Sequence, residues 1–208
     1  RVSVAKRVHR NVDHGPFLTQ EMNRCIGCYR CLRFYRDHAG GRDFEVIGAH
    51  DRVWFGRTEP GALDSPFAGN LAEVCPTGVF DDRWWSRHYA RPWDMAATPA
   101  ICTHCAVGCN ITLFEHGGTL RKVQNRTHGA VNGSFLCDRG RFGPMAAEAE
   151  RPLFPSRKGG EIPWVEAVAD ARALVAQGAV GIGSPRASLE ANFALRRLVG
   201  EDRFFAGV

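Results

Sequence analysis

Residues 25–31 read Cys25-Ile26-Gly27-Cys28-Tyr29-Arg30-Cys31 and place three cysteines in one short loop. A fourth cysteine, Cys75, follows after a gap of 43 residues and stands directly before Pro76. A 4Fe–4S cube takes one thiolate at each of its four iron corners. A compact loop reaches three corners, and a more distant segment must supply the fourth. This pattern predicts a 4Fe–4S site held by Cys25, Cys28, Cys31 and Cys75.

The other four of the eight cysteines repeat this arrangement. Three are close in sequence and the fourth follows after a gap of 27 residues: Cys102, Cys105, Cys109 and Cys137. Each set thus combines a short loop with one distant thiol, and no cysteine of the chain is left over. The second set therefore predicts a second 4Fe–4S site.

Three other uses of cysteine fit this spacing less well than iron–sulfur clusters do. Zinc is usually held by two close pairs of ligands around one atom, whereas the distant cysteine is single in both sets. A disulfide framework is typical of small secreted domains, and this chain has 208 residues with no signal-like apolar segment at its start as given. A redox Cys-x-x-Cys motif leaves the third and fourth cysteines unexplained. The spacing favours clusters over all three.

The formal net charge of +5 invites a nucleic-acid interpretation. An oxidised cubane with four thiolates carries about −2, so two clusters lower the net charge to about +1. We therefore expect no nucleic-acid partner. Arginines near the cysteines either offset cluster charge or form a solvated basic face: Arg24, Arg30, Arg33, Arg36, Arg139 and Arg141. No apolar run approaches the roughly 18 residues of a membrane span, so we expect no direct membrane insertion.

Residues 1–95 are expected to form the first iron–sulfur domain, with an α+β fold. Residues 1–20 alternate weakly between apolar and polar positions, which suits an edge strand or an extended arm. Residues 32–36 predict a helical turn after the cysteine loop. Residues 44–50 and 53–55 predict two short strands.

The segment before Cys75 predicts a further helix in this domain. Ser65-Pro66 is a favourable helix start, because proline is common at the first helical position. Residues 67–74 would then deliver Cys75 near the C-terminal end of that helix.

Residues 96–150 are expected to form a second, smaller iron–sulfur domain that is antiparallel and rich in β-strands. Residues 98–101 and 110–115 flank the second cysteine loop as strand candidates. Gly117-Gly118 is a strong hairpin signal, and residues 119–124 are the expected returning strand. The second site is therefore predicted to lie beside a small antiparallel sheet.

Residues 151–208 are expected to contain a basic linker, at 151–160, and then the start of an α/β, Rossmann-like domain. The pattern predicts alternating helices and strands, at 164–175, 179–183, 188–199 and from 204 onward. This order implies parallel strands.

The turn after the strand at 179–183 resembles a dinucleotide-binding loop only in part. Gly181 and Gly183 are present, but Arg186 stands where the third glycine is needed. We therefore interpret this segment as a strand-to-helix turn with Ser184 near the N-cap.

Longer runs of sequence carry a resemblance to a known family: Gly15-Pro16-Phe17, residues 21–31, Gly69-Asn70-Leu71 through residues 75–80, residues 135–142 and residues 181–188. In these runs the chain resembles the large iron–sulfur subunit, or G subunit, of bacterial respiratory NADH–quinone oxidoreductase, which is also called complex I. The resemblance covers nearly all 208 residues. Because that family has a ferredoxin-like domain upstream and several hundred residues downstream, the chain is expected to be a fragment.

The resemblance implies two clusters with different roles. Cys25, Cys28, Cys31 and Cys75 would hold a 4Fe–4S cluster on the main electron route. The second set would hold a 4Fe–4S cluster off that route, in a domain related to molybdopterin oxidoreductases such as formate dehydrogenase. Those enzymes have a lysine after the last cysteine that links cluster to pterin, and this chain has Arg139 there. No molybdopterin is therefore expected.

The resemblance also implies partners and a place in the cell. The chain would be a non-catalytic electron-transfer subunit of a proton-translocating enzyme, with no catalytic residue of its own. Its partners would be other peripheral-arm subunits, namely the flavin-bearing NADH-oxidising subunit and the quinone-side iron–sulfur subunits. The complex would lie at the cytoplasmic face of the bacterial inner membrane.

Two alternatives remain open beside electron transfer. One is a fragment of a molybdenum or tungsten bis-pterin oxidoreductase such as formate dehydrogenase. The other is a non-redox scaffold in which one or both clusters only brace the fold, because metal binding can supply folding free energy. The second cluster can brace the fold in this way even where the first cluster conducts electrons.

Overall fold

The computed structural model describes residues 8–148 and 153–207. The first seven residues of the predicted edge strand or arm lie outside these ranges, as do residues 151–152 of the predicted linker. The contacts divide the described chain into two compact units.

The first unit takes the described residues up to Cys102 and those from Cys109 to Met145. The second takes Thr103–Gly108 and the described residues after Met145. Each unit has its own helices and strands, so each is described by itself.

Short strands and helices alternate in the N-terminal part of the first unit: β1 (Val12–Asp13), β2 (Leu18–Gln20), α1 (Arg30–Asp37), β3 (Glu45–Ile47), β4 (Trp54–Gly56), α2 (Leu71–Val74), β5 (Phe80–Asp82) and α3 (Arg83–Arg87). β1, β2 and β5 form an antiparallel sheet in that order, and β3 pairs antiparallel with β4. Their apolar side chains share one buried core. The predicted mixture of helix and sheet is confirmed.

Helix α1 carries Cys31 in its first turn and contributes to that core. Cys31, Phe34 and Tyr35 are all buried. The Tyr35 hydroxyl lies 2.6 Å from a carboxylate oxygen of Asp43 and 2.9 Å from one of Asp64. Because a buried aromatic ring with a satisfied hydroxyl anchors its helix strongly, Cys31 is attached to a rigid element.

The helix predicted after Ser65-Pro66 is confirmed in part, because a 3-10 helix at Ala68–Asn70 leads directly into α2 at Leu71. The Ser65 hydroxyl donates to the Ala39 carbonyl at 2.7 Å and accepts from the Phe67 amide at 3.2 Å. These contacts hold a turn before the 3-10 helix, so the helical segment begins at Ala68 and not at Pro66. The prediction that the helix ends at Cys75 is confirmed, since Cys75 is the C-cap of α2.

The C-terminal part of the first unit contains a three-stranded antiparallel sheet followed by a helix whose last three residues are assigned to the second unit: β6 (Ala96–Ile101), β7 (Asn110–His116), β8 (Thr119–Asn125) and α4 (Asp138–Glu148). The hairpin predicted at Gly117-Gly118 is confirmed. Both glycines have positive φ, 63° and 77°, which the tight turn between β7 and β8 requires. A second buried core lies between this sheet and α4.

The second unit contains a short hairpin and two helices that alternate with short strands: β9 (Ser156–Arg157), β10 (Gly160–Glu161), α5 (Trp164–Ala176), β11 (Gly181–Ile182), α6 (Leu189–Val199) and β12 (Phe204–Phe205). The hairpin overlaps the predicted linker at 151–160 and ends one residue beyond it, so part of that segment is a paired β-hairpin. β11 and β12 pair in parallel, as the order of elements predicted. None of the helices in the described part of the chain has the length and apolarity for a bilayer span.

The N-cap of α6 lies four residues after the predicted position at Ser184. Ser188, and not Ser184, is the N-cap, and its hydroxyl accepts from the Ala191 amide at 3.1 Å. Ser184 instead accepts from the Arg186 amide at 3.2 Å, within the preceding turn. Six residues, 183–188, thus separate the end of β11 at Ile182 from the start of α6 at Leu189.

The buried side chain of His14 gives the first unit a pH-dependent stability. Burial lowers the pKa of His14 and outweighs its 2.6 Å hydrogen bond to Gln20. Below about pH 6.5 the unfolded chain takes up a proton that the folded chain refuses, so stability is lost as pH falls. We expect a loss of up to about 1.4 kcal/mol per pH unit below that value.

This prediction is checked by urea unfolding at pH 5.5 and 7.5 with the native chain and His14→Gln. The glutamine does not titrate and should remove this part of the pH dependence. The same loss of stability on acidification in both proteins would assign the effect to other groups.

Candidate iron–sulfur sites

All four cysteines of the first predicted set line one cavity. It is lined by Cys25, Ile26, Cys28, Tyr29, Cys31, Phe55, Cys75, Pro76, Thr77, Val79 and Phe80. Apart from the hydroxyls of Tyr29 and Thr77, the lining side chains are sulfur-bearing or apolar. A largely apolar cavity with four thiols has the donor set that a 4Fe–4S cluster requires. The residues present therefore fit the cluster that their spacing predicts.

The backbone of the cysteine loop explains how three thiols reach one cavity. Gly27 and Tyr29 both have left-handed conformations, with φ of 66° and 59°. Glycine adopts this conformation without steric cost, whereas a residue such as Tyr29 adopts it rarely. These two left-handed residues turn the chain back on itself between Cys25 and Cys31. Tyr29 is held there by an edge-on contact with Phe55, with ring centroids 4.9 Å apart.

Burial works against thiolate charge at two of the loop cysteines, Cys31 and Cys25. It raises the pKa of Cys31 to about 12, and repulsion from the neighbouring cysteines adds to the effect. The pKa of Cys25 is also raised, mainly by burial, although the Gly27 amide donates to its Sγ at 3.3 Å. Close thiolates in an apolar cavity repel one another. A bound cationic iron core would offset that repulsion.

Cys75 has a different environment from the loop cysteines. Burial raises the pKa of its thiol, but hydrogen bonds from Thr77, Val79 and Phe80 outweigh it, so that the pKa is lowered. The Thr77 hydroxyl lies 3.6 Å from the Cys75 Sγ. Hydrogen bonds to sulfur are one of the protein's means of tuning a cluster's reduction potential.

Three cysteines of the second set lie in the first unit, at the ends of β6, β7 and α4. Cys102 directly follows β6 and Cys109 directly precedes β7, and the Cys102 amide donates to the Cys109 carbonyl at 2.8 Å. Cys137 directly precedes α4. A Cβ at Gly140, in the first turn of α4, would lie 3.2 Å from the Cys102 Sγ. The structure thus brings the Cys137 segment beside Cys102 and Cys109.

Cys105 lies in the loop Thr103–Gly108, which belongs to the second compact unit. Its role as the remaining ligand of the second site stays a prediction. In the described ranges, no three His, Cys, Asp or Glu side chains are arranged as a site for a single metal ion. A cubane instead takes one thiolate at each of four corners.

The segments that carry Cys75 and Cys137 are joined by an amide side chain. Asn70 donates from Nδ2 to the Leu136 carbonyl at 2.7 Å and accepts at Oδ1 from the Leu136 amide at 3.1 Å. A second tie runs from the Gly69 amide to the Asp138 carboxylate at 2.7 Å. These bonds hold the residues before α2 against the residues on either side of Cys137.

For Arg141 the sequence allowed two roles, either to offset cluster charge or to form part of a solvated basic face. In the structure its side chain is only 1% exposed and pairs with Glu73. A solvated face is therefore excluded for this residue. Arg139, by contrast, is exposed. The one sequence feature that could have indicated burial is that Arg141 lies one helical turn after Cys137. The sequence analysis predicted no helix at this position, whereas the structure has α4 there.

Two family models match parts of the chain that contain the cysteine sets. Residues 15–81, the range that contains the first cysteine set, match the family model described as NADH-quinone oxidoreductase subunit 3, ferredoxin-like domain. Residues 95–148 match the model of the molybdopterin oxidoreductase Fe4S4 domain, which contains the second.

Curated relatives match the chain over its whole length. The chain is 55% identical to the NADH-quinone oxidoreductase G subunit of Shewanella oneidensis over 215 residues, 53% to that of Pseudomonas fluorescens over 211, and 51% to that of Escherichia coli K12 over 215. These alignments cover 100% of the chain but only 23–24% of each relative, so the chain spans about a quarter of their length. Over that length, the chain belongs to the family of NADH-quinone oxidoreductase G subunits.

Proposed function

We propose that this chain relays single electrons through 4Fe–4S clusters within an NADH–quinone oxidoreductase, from the NADH and flavin side toward quinone. The observation that carries the proposal is the convergence of Cys25, Cys28, Cys31 and Cys75 on one apolar cavity. A cluster bound there would accept one electron and pass it on, with no bond made or broken in a substrate. The chain would thus serve an enzyme without supplying a catalytic residue.

In this function the protein would bind the first cluster, shield it from water and adjust its reduction potential. The four thiolates are the proposed ligands of the first cluster. Phe55, Val79 and Phe80 keep water from it, since all three are buried side chains of the cavity wall. The Gly27 amide and the Thr77 hydroxyl, beside two of the sulfur atoms, would stabilise the negative charge that reduction adds.

The second site is proposed to hold a second 4Fe–4S cluster through Cys102, Cys105, Cys109 and Cys137. Its role is to brace the fold away from the main electron route. The hydrogen bonds of Asn70 and Gly69 to the Cys137 segment support a bracing role, because they tie it to the segment that carries Cys75. Arg139, where related pterin enzymes have lysine, supports a site without molybdopterin.

The proposed division is into a first 4Fe–4S domain at 1–95, a second at 96–150, and a linker followed by the start of a Rossmann-like domain at 151–208. The parallel pairing of β11 with β12, with α6 between them in sequence, supports the α/β character of the last part. Parallel strands need such a crossover connection.

The proposed partners are the flavin-bearing NADH-oxidising subunit and the quinone-side iron–sulfur subunits of complex I. The curated relatives are named as one subunit of NADH-quinone oxidoreductase, which supports membership of a multisubunit respiratory enzyme. Such a complex would place the chain at the cytoplasmic face of the bacterial inner membrane.

Iron and sulfide analysis with electron paramagnetic resonance (EPR) on the dithionite-reduced chain tests the proposal. We expect about eight irons per chain and two distinct cubane signals, because each set of four thiolates takes four irons. A bound pterin would favour the molybdenum-enzyme alternative. Zinc in place of iron would overturn the proposal.

A further inference from the structure

A buried ion pair lies between the segments that carry Cys75 and Cys137. Arg141, in α4, donates from Nη1 to a carboxylate oxygen of Glu73 and to the Val123 carbonyl at 3.2 Å. Its Nη2 donates to Asn70 Oδ1 at 2.9 Å. The guanidinium therefore holds three separate pieces of the first unit together from within its core.

We propose that Arg141 is a positioning residue whose ion pair with Glu73 sets the reduction potential of the cluster held by Cys25, Cys28, Cys31 and Cys75. The inference rests on the proposed electron-transfer function and adds a residue from outside the first site. It also gives the second cysteine segment a defined influence on the first cluster.

The positional part of the inference follows from the shortness of α2. The helix has four residues, Leu71–Val74, and follows directly on the 3-10 helix Ala68–Asn70, with Glu73 inside α2 and Cys75 as its C-cap. Glu73 is thus two residues from the distant ligand of the first site. Because so short a helix has little stability of its own, its place depends on tertiary contacts such as the one to Arg141. Moving Glu73 therefore moves Cys75.

The electrostatic part follows from burial. Arg141 is 1% exposed and the Glu73 side chain is 21% exposed, so water screens the pair weakly. The Nε of Arg141 has no hydrogen-bond partner among the described residues. Other charged side chains interact electrostatically with Arg141, namely Asp82, Lys122 and Asp138. Neutralising one member of the pair thus changes the charge of a weakly screened core by one unit.

The two members of the pair should shift the potential in opposite directions. Arg141→Met leaves the Glu73 carboxylate unpaired near the first cluster, and the added electron is then less stable, so the potential falls. Glu73→Gln leaves the guanidinium unpaired, and the potential rises. We expect about a tenfold change in the one-electron equilibrium in each case, equivalent to about 59 mV. The double variant should return to a value near that of the native chain.

Redox titration followed by EPR on the cluster-loaded chain measures these shifts, and iron content per chain is determined on the same samples. Arg141→Lys keeps the charge but loses the forked donor geometry, so it should keep the potential near the native value while lowering the melting temperature. Arg126→Met is the matched control. Arg126 is exposed, and its loss should leave the potential unchanged.

Potentials that move in the same direction in Arg141→Met and Glu73→Gln, or that do not move, would overturn the inference. If Arg141→Met fails to retain the cluster, Glu73→Gln and Arg141→Lys decide the question with the same readout. The absence of a cubane signal in the native chain would instead overturn the proposed function. The two failures are therefore distinguishable.

Discussion

Replacing Cys75 with alanine is expected to reduce NADH-driven quinone reduction by the assembled complex to background, whereas Cys102→Ala is expected to leave most of it. Cys75 is the proposed distant ligand of the first site, so its loss would leave one cluster corner without a thiolate and interrupt the proposed main electron route. Cys102 is a proposed ligand of the second, bracing site and is 4% exposed. Its loss should appear mainly as a lower melting temperature and weaker assembly.

The measurement is the initial rate of quinone reduction per assembled complex, with EPR of the first cluster on the same membranes. Thr77→Val is the matched control for Cys75→Ala. It removes the hydroxyl 3.6 Å from the Cys75 sulfur but keeps all four thiols. It should retain the cluster signal and most of the rate. Equal losses of rate in Cys75→Ala and Cys102→Ala, at equal assembly, would contradict the assignment of separate roles.

The sequence alone predicted the features that depend on a few neighbouring residues, namely the meeting of the first four cysteines and the β7–β8 hairpin. Four thiols at the spacing of Cys25, Cys28, Cys31 and Cys75 predict one site, because a short loop supplies three nearby ligands wherever it lies in the fold. Gly117-Gly118 predicts the β7–β8 hairpin, because a tight turn with two positive φ values favours glycine. Both signals depend on few residues and are little altered by tertiary contacts.

Features set by tertiary contacts were missed. Helix α4 contains Gly140, Gly143 and Pro144, all of low helix propensity, so nothing local predicts it. Its first turn instead packs against Cys102, and Met145 is 1% exposed. The ion pair of Arg141 joins residues 68 positions apart, a distance at which one sequence carries no pairing signal.

The close packing of Gly69 against α4 gives the largest expected change in stability outside the cysteines. An alanine Cβ at this position would lie 2.7 Å from Asp138 Oδ1, 2.9 Å from Arg141 Cδ and 2.9 Å from Phe142 Cε2. Arg141 and Phe142 are 1% and 5% exposed, so neither has free space to move into. We expect Gly69→Ala to cost about 3 kcal/mol of folding free energy, the upper range for overpacking.

For a chain of this size, that cost corresponds to a fall in melting temperature of roughly 6–12 °C. Gly129→Ala is the matched control, because a Cβ there meets nothing within 4 Å. It should change the free energy of unfolding by no more than about 0.5 kcal/mol. Thermal unfolding of both cluster-loaded variants measures the difference. Equal melting temperatures would mean that the segment before Cys75 yields easily, and the close tie between α2 and α4 would then not hold Cys75 in place.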